Sequence, residues 1–109
     1  MCPWTKLGAR MAEATHATVM TLRRDMSMQA KQQQSFREMF ERGFGDIPGF
    51  VAGIWMLDPG ASETVIVHSF DSLEHAKEFA DMARNRADRQ AAHGFELVSV
   101  RVTEVLGTA

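Results

Sequence analysis

The 109-residue chain has one cysteine, Cys2, no tyrosine and only three prolines. A single thiol can neither close an intrachain disulfide nor build a cysteine-based zinc site. It fits a reducing compartment, so the cytoplasm is the expected location. No run of about eighteen apolar residues occurs, so neither a bilayer-spanning helix nor a membrane partner is expected. The opening "MCPWTKLGAR" lacks the apolar stretch of a secretory signal. Excess charge is missing as well: twelve basic against fourteen acidic side chains leave a formal net charge of -2. A nucleic-acid partner would need a clustered basic surface, so none is expected. Glycine-rich phosphate loops and nucleophile elbows are absent. The histidines, His16, His68, His75 and His93, form no i, i+4 pair. No metal and no cofactor are therefore expected.

The apolar share of 45% and charged share of 24% are those of an ordinary folded globule. A chain of this length holds one core. Residues 1–14 contain Pro3 and Gly8, show no clear period, and read as an N-terminal extension before a domain over 15–109. Trp4 is expected to be at least half buried as the extension's anchor. Cys2 has no basic neighbour that would activate it.

"THATVMTLR" (15–23) is rich in β-branched residues and predicts a first strand. Ser27 is a candidate cap for a helix running to Arg42, with Met28, Phe36, Met39 and Phe40 inward and "KQQQ" outward. Gly43 or Gly45 would end it. Pro48-Gly49 leads into a second strand over 50–57. "DPGAS" (58–62) is a turn by composition, and a third strand follows over 63–70. Asp71 with Glu74 looks like a capping box for a second helix, whose inner stripe is Leu73, Ala76, Phe79, Ala80, Ala83 and Ala87. Gly94 stops it, and 95–106 predicts a long last strand. The order is β-α-β-β-α-β: an α+β, ferredoxin-like split unit with an antiparallel four-stranded sheet and both helices on one face.

That arrangement leaves one sheet face bare. The second strand, "FVAGIWMLD", is nonetheless apolar on both parities, with Phe50, Ile54 and Met56 on one and Val51, Trp55 and Leu57 on the other. An apolar face of this kind marks an interface or ligand site. A second copy of the chain about a two-fold axis would cover it, making a homodimer. The element order, "IPGFVAGIWMLD" and "VIVHSFDSLEHAKEF" together resemble the dimeric α+β barrel superfamily, and within it the antibiotic-biosynthesis-monooxygenase (ABM) group. The resemblance covers residues 15–106. It implies the barrel-forming dimer and three kinds of activity: cofactor-independent oxygenation of aromatic polyketides or quinols, haem degradation, or none assigned. The haem-degrader pattern departs here at three places. Asp88 stands near the axial histidine position, Phe79 near a tryptophan and Thr21 near an asparagine.

If the helix side of the sheet is uniformly apolar, Val65, Val67, Val98, Val100 and Val102 face the helices. Ile66, His68, Phe70, Leu97, Ser99, Arg101 and Thr103 would then line an apolar interior with a few polar groups, suited to a small apolar or aromatic ligand. His68 is the candidate base and Arg101 the candidate anion clamp, both catalytic. Trp55, Phe70, Ser99 and Thr103 are candidates for substrate contact, Trp55 by stacking. Each has a plainer alternative: a hydrogen-bonded interior histidine, an interface ion pair, and core or dimer packing. His75 and His93 are expected to be solvated. Because the chain has no tyrosine, any tyrosine role in related sites must be filled otherwise. Two functions compete: a cofactor-independent monooxygenase and a non-catalytic dimeric ligand-binding module.

Overall fold

The computed structural model describes residues 13–109; Cys2, Trp4 and most of the expected extension lie outside that range. The elements are β1 (His16–Arg24), a 3₁₀ turn (Met26–Met28), α1 (Gln29–Arg42), β2 (Phe50–Asp58), β3 (Glu63–Phe70), α2 (Leu73–Asn85), the short α3 (Ala87–Ala91) and β4 (Phe95–Glu104). All strand pairings are antiparallel, in the order β2-β3-β1-β4. This is the expected ferredoxin-like α+β sheet. No described helix is long and apolar enough to cross a membrane.

Two helix starts differ from the expected caps. Asp25, not Ser27, caps the first helical segment, accepting from Ser27 N (3.0 Å) and Ser27 Oγ (2.6 Å). Ser72, not Asp71, caps α2 by accepting from His75 N. The shorter hydroxyl reaches the backbone amide, which frees Asp71 to pair with the His75 ring at 2.6 Å. That pair closes over Gly49, whose φ of +71° and lack of a side chain allow the approach. Gly43 ends α1 as expected, at φ +80°, donating to Met39 O.

The core lies between the helices and one sheet face. Met20, Leu22, Ile66, Phe70 and Val100 meet Ala76, Phe79, Ala80 and Ala83 of α2. The alanines let α2 approach the sheet closely, while Phe70 and Phe79, 5.3 Å apart, fill the space. Burying either ring contributes roughly 2–3 kcal/mol. Phe40 is an exception to the expected inner stripe of α1. It is half exposed, though its ring meets Trp55 at 4.8 Å.

Gln32 corrects the outward assignment of "KQQQ". It is fully buried, and Arg24 Nε donates to its Oε1 at 3.0 Å. Its Nε2 reaches the carbonyls of Asp25 (2.9 Å), His93 (3.2 Å) and Gly94 (3.3 Å). One side chain thus ties the start of α1 to the turn before β4. Gly94 accommodates it, since a Cβ there would lie 2.8 Å from Gln32 Nε2. Gln32→Leu takes away the acceptor of Arg24 Nε and the donor to the His93 carbonyl, while the Asp25 and Gly94 carbonyls keep the amides of Met28 and Asp25. Urea denaturation should show a loss of about 2–4 kcal/mol. A loss below about 0.5 kcal/mol would mean that water replaces the amide.

Candidate functional site

The register fixes which side chains share a face, because residues directly opposite across antiparallel strands point the same way. Phe50 pairs with Phe70, Gly53 with His68 and Trp55 with Ile66. His68 and Phe79 of α2 have ring centroids 4.8 Å apart, which sets this row on the helix side. The expected parity of β3 is therefore reversed. Ile66, His68 and Phe70 face the helices, and Val65 and Val67 face the open side. Each parity of β3 mixes apolar and polar residues, Val65 and Val67 with Ser69 on one and Ile66 and Phe70 with Thr64 and His68 on the other, so pattern alone could not orient it. Excluding a histidine from the helix side chose the wrong alternative.

On β4 the expected split holds for Val100 and Val102, which lie on the core side. A register irregularity opposite Thr21/Leu22 then shifts Leu97 to the core side, against expectation, and leaves Val98 45% exposed. Arg101 pairs with Val19, Ser99 with Thr21 and Thr103 with Ala17, all on the open face. Thr103 Oγ1 donates to Ala17 O at 3.2 Å. The six candidates are thus divided by the sheet. His68, Trp55 and Phe70 lie on the helix side, and Arg101, Ser99 and Thr103 on the other. Arg101 cannot act with His68 within one chain.

A cleft of about 750 Å³ runs between the sheet, α1 and the α2–α3 segment. His68 and Trp55 line it, whereas Phe70 is fully buried behind His68. The His68 imidazole is 4% exposed and sits among aromatic rings. Its centroid is 4.8 Å from Trp55, 5.4 Å from Phe50 and 6.2 Å from Phe44. Gly53 makes this possible: a Cβ there would lie 2.9 Å from both His68 Cδ2 and Trp55 Cη2. Glycine inside a strand marks a close approach. Gly53 in "FVAGIWMLD" was therefore the available signal for this packing. Phe44, from the loop after α1, had none. Its ring is 4.8 Å from Trp55 and 5.2 Å from Phe50, completing an aromatic wall.

Neither ring nitrogen of His68 has a hydrogen-bond partner among the described residues, and nor does Thr18 Oγ1 directly across the register. Burial pushes the His68 pKa down to about 4, so the imidazole is neutral at pH 7. A neutral imidazole offers one donor and one acceptor. Left unpaired in an apolar wall, each costs on the order of 1–3 kcal/mol. A bound molecule with an oxygen at this point would recover that cost. Near the cleft mouth, His75 is partly exposed, and its hydrogen bond to Asp71 raises its pKa. His93 departs from the solvated expectation, since its Nδ1 is buried. Among the described residues no group of three or more His, Cys, Asp or Glu is placed to hold a metal ion.

No family model matches the sequence, and no curated protein matches it. Solved structures do match. A protein of unknown function from Nitrosomonas europaea superposes with a TM-score of 0.64 at 14% identity, over 90% of this chain and 95% of that one. The ActVA-Orf6 monooxygenase of Streptomyces coelicolor, in complex with nanaomycin D, matches with a TM-score of 0.62 at 16% identity, over 89% and 92%. A putative antibiotic biosynthesis monooxygenase from Chloroflexus aurantiacus matches with a TM-score of 0.55 at 18% identity, over 88% and 97%, so the chain shares the α+β fold of these proteins. The haem degrader MhuD of Mycobacterium tuberculosis, solved with two haems in its active site, shares the fold with a TM-score of 0.55. It is 15% identical, over 86% of this chain and 98% of that one. At these identities the likeness is one of fold, and one fold hosts more than one chemistry.

Proposed function

We propose that this ABM-fold protein is a cofactor-independent monooxygenase for a small, electron-rich aromatic substrate, a phenol, quinol or anthrone, bound in the cleft. The observation that carries this reading is His68, a buried neutral imidazole with both nitrogens free, set in an aromatic wall. Trp55 and Phe44 offer flat surfaces to a ring, and His68 meets its oxygen. In an anthrone the reacting carbon is a CH2. His68 takes one of its protons as the carbanion forms, and the anion beside it raises the imidazole's affinity for that proton. Dioxygen then supplies one oxygen atom to the carbon, which becomes a carbonyl. The other leaves as water with the two hydrogens of the former CH2, the substrate supplying both electrons of each bond.

The test is oxygen uptake by the purified protein with a panel of quinols and anthrones. Uptake well above the boiled control is expected. None with any member, despite measurable binding, would favour the second reading, a non-catalytic module that binds the same ring compounds. The low basicity of His68 is the observation in favour of that alternative.

We further propose that the protein is a homodimer through the open sheet face. Cross-strand pairing sets Ile54, Val67 and Val19 in one row ending at Arg101, and Met56, Val65 and Thr21 in the next, ending at Ser99. Ile54 and Met56 are 56% and 45% exposed in the single chain. On this reading Arg101, Ser99 and Thr103 serve the interface and not the cleft. Trp55, on the helix side, is not the residue with which to test it.

A further inference from the structure

His68 marks one end of the cleft. At the other end Gln90 Oε1, on α3, and His93 Nδ1, just beyond it, are also buried without a partner among the described residues, and both residues line the cleft. The two ends can be placed against β1. His68 stands opposite Thr18. The His93 carbonyl accepts from Gln32, and the Gly94 carbonyl from Asp25 N, which sets His93 beside the far end of β1. From Thr18 to Arg24 a strand advances roughly 20 Å at the usual rise per residue. The lining joins the apolar Met20, Ile66, Phe36, Phe79, Met82 and Phe95 with the charged Glu38, Arg42, Asp46 and Glu78.

A single-ring compound on His68 would leave the Gln90 and His93 atoms without a ligand partner. A molecule that reaches both ends pairs them all. The cleft's volume of about 750 Å³ is in the upper part of the range for small-molecule sites and has room for several rings. Gln90 Oε1 can only accept, so the far end of the ligand must donate. Arg86 and Arg89, which also line the cleft, make no ion pair among the described residues. With Arg42 they balance the cleft's carboxylates, Glu38, Asp46 and Glu78, so the lining carries no net negative charge that would favour an amine over a phenol.

We propose that the cleft takes an extended fused-ring compound with a hydrogen-bonding oxygen at each end: one on His68, the other a phenolic hydroxyl on Gln90 and His93. This rests on the aromatic-ligand reading above and adds a second anchor that sets ligand length and polarity.

Calorimetric titration with linear fused-ring quinones of three to five rings, each with a hydroxyl at both ends, tests it against the same compounds lacking one hydroxyl, the best-binding length serving as the probe. The doubly hydroxylated probe should bind the wild-type protein about tenfold more tightly, a gain of one good hydrogen bond. Gln90→Leu and His93→Leu should each bring that probe down to the affinity of the singly hydroxylated one. Neither variant should change the latter by more than about twofold. Equal affinity of the two probes for the wild type overturns the second anchor and leaves the aromatic-cleft reading standing. So does equal weakening of both probes by the variants. If neither probe binds the wild type, both readings fail.

Discussion

His68→Leu should abolish ligand binding and oxygen uptake while leaving the protein at least as stable as the wild type at pH 7. The substitution removes two unpartnered buried nitrogens and keeps a side chain of similar bulk among the rings. Replacing a buried, unsatisfied polar group by an apolar one of like shape is near neutral or stabilising, here by about 1 kcal/mol. The pH dependence should change more. Burial holds the folded pKa at about 4, against 6.5 for the free side chain. Between those values the unfolded chain binds a proton that the folded chain refuses, so stability falls as pH falls. The loss begins below about pH 6.5 and is complete near pH 4, at about 3 kcal/mol from 1.36 kcal/mol per pKa unit.

The Asp71–His75 pair acts in the opposite sense at the histidine. The His75 pKa is raised, first by its hydrogen bond to Asp71, so its stabilisation is present at acid pH and fades as pH rises through the folded value. Asp71 is lowered, chiefly by the same hydrogen bond, and its stabilisation fades only as pH falls through the carboxylate range. Subtracting the denaturation profile of His68→Leu from that of the wild type isolates the buried imidazole. Two parallel profiles would show that His68 is hydrated or partnered in solution.

On the proposed homodimer, Val67→Asp should give monomers where the wild type is dimeric. Val67 sits between Ile54 and Val19 in the central row of the open face, and its side chain points away from the α2 core. A carboxylate there meets its symmetry mate or an apolar partner surface, with no room for water, at a cost of several kcal/mol. A barrel-forming interface of this kind should bury around 2,000 Å² or more in total. Sedimentation velocity at micromolar concentration reads the result directly. A wild-type protein that sediments as a well-folded monomer would remove the dimer from the account. If Val67→Asp leaves a dimer intact, another face must be joined. Because an exposed sheet face invites aggregation, the more conservative Val67→Thr should weaken the dimer in the same direction.

Most elements between residues 16 and 104 were legible because their signals are local, but the break at Arg86 that divides the expected second helix into α2 and α3 was not. β-branched runs made the strands, glycines at 43 and 94 ended the helical stretches, and apolar residues three and four apart set the inner face of α2. From these followed the split β-α-β-β-α-β order and the unexplained second apolar face. Caps were less legible. Asp25 and Ser27, or Asp71 and Ser72, are chemically interchangeable candidates until backbone geometry selects one. Gln32 reads as surface because its neighbours do, and its burial depends on carbonyls over sixty residues away.

Which face of β3 meets the helices was a tertiary matter. A strand with apolar residues mixed with polar ones on both parities has two nearly equivalent orientations, one residue apart. The ring cluster of Phe44, Phe50, Trp55, Phe70 and Phe79 decides between them by drawing His68 into the cleft. His68 and Trp55 as site candidates came from the sequence alone. Their separation from Arg101, Ser99 and Thr103, and their company with Gln90 and His93, did not. Residue type and spacing set each element's chemistry, but the packing of elements far apart in the chain sets which side chains share a cavity.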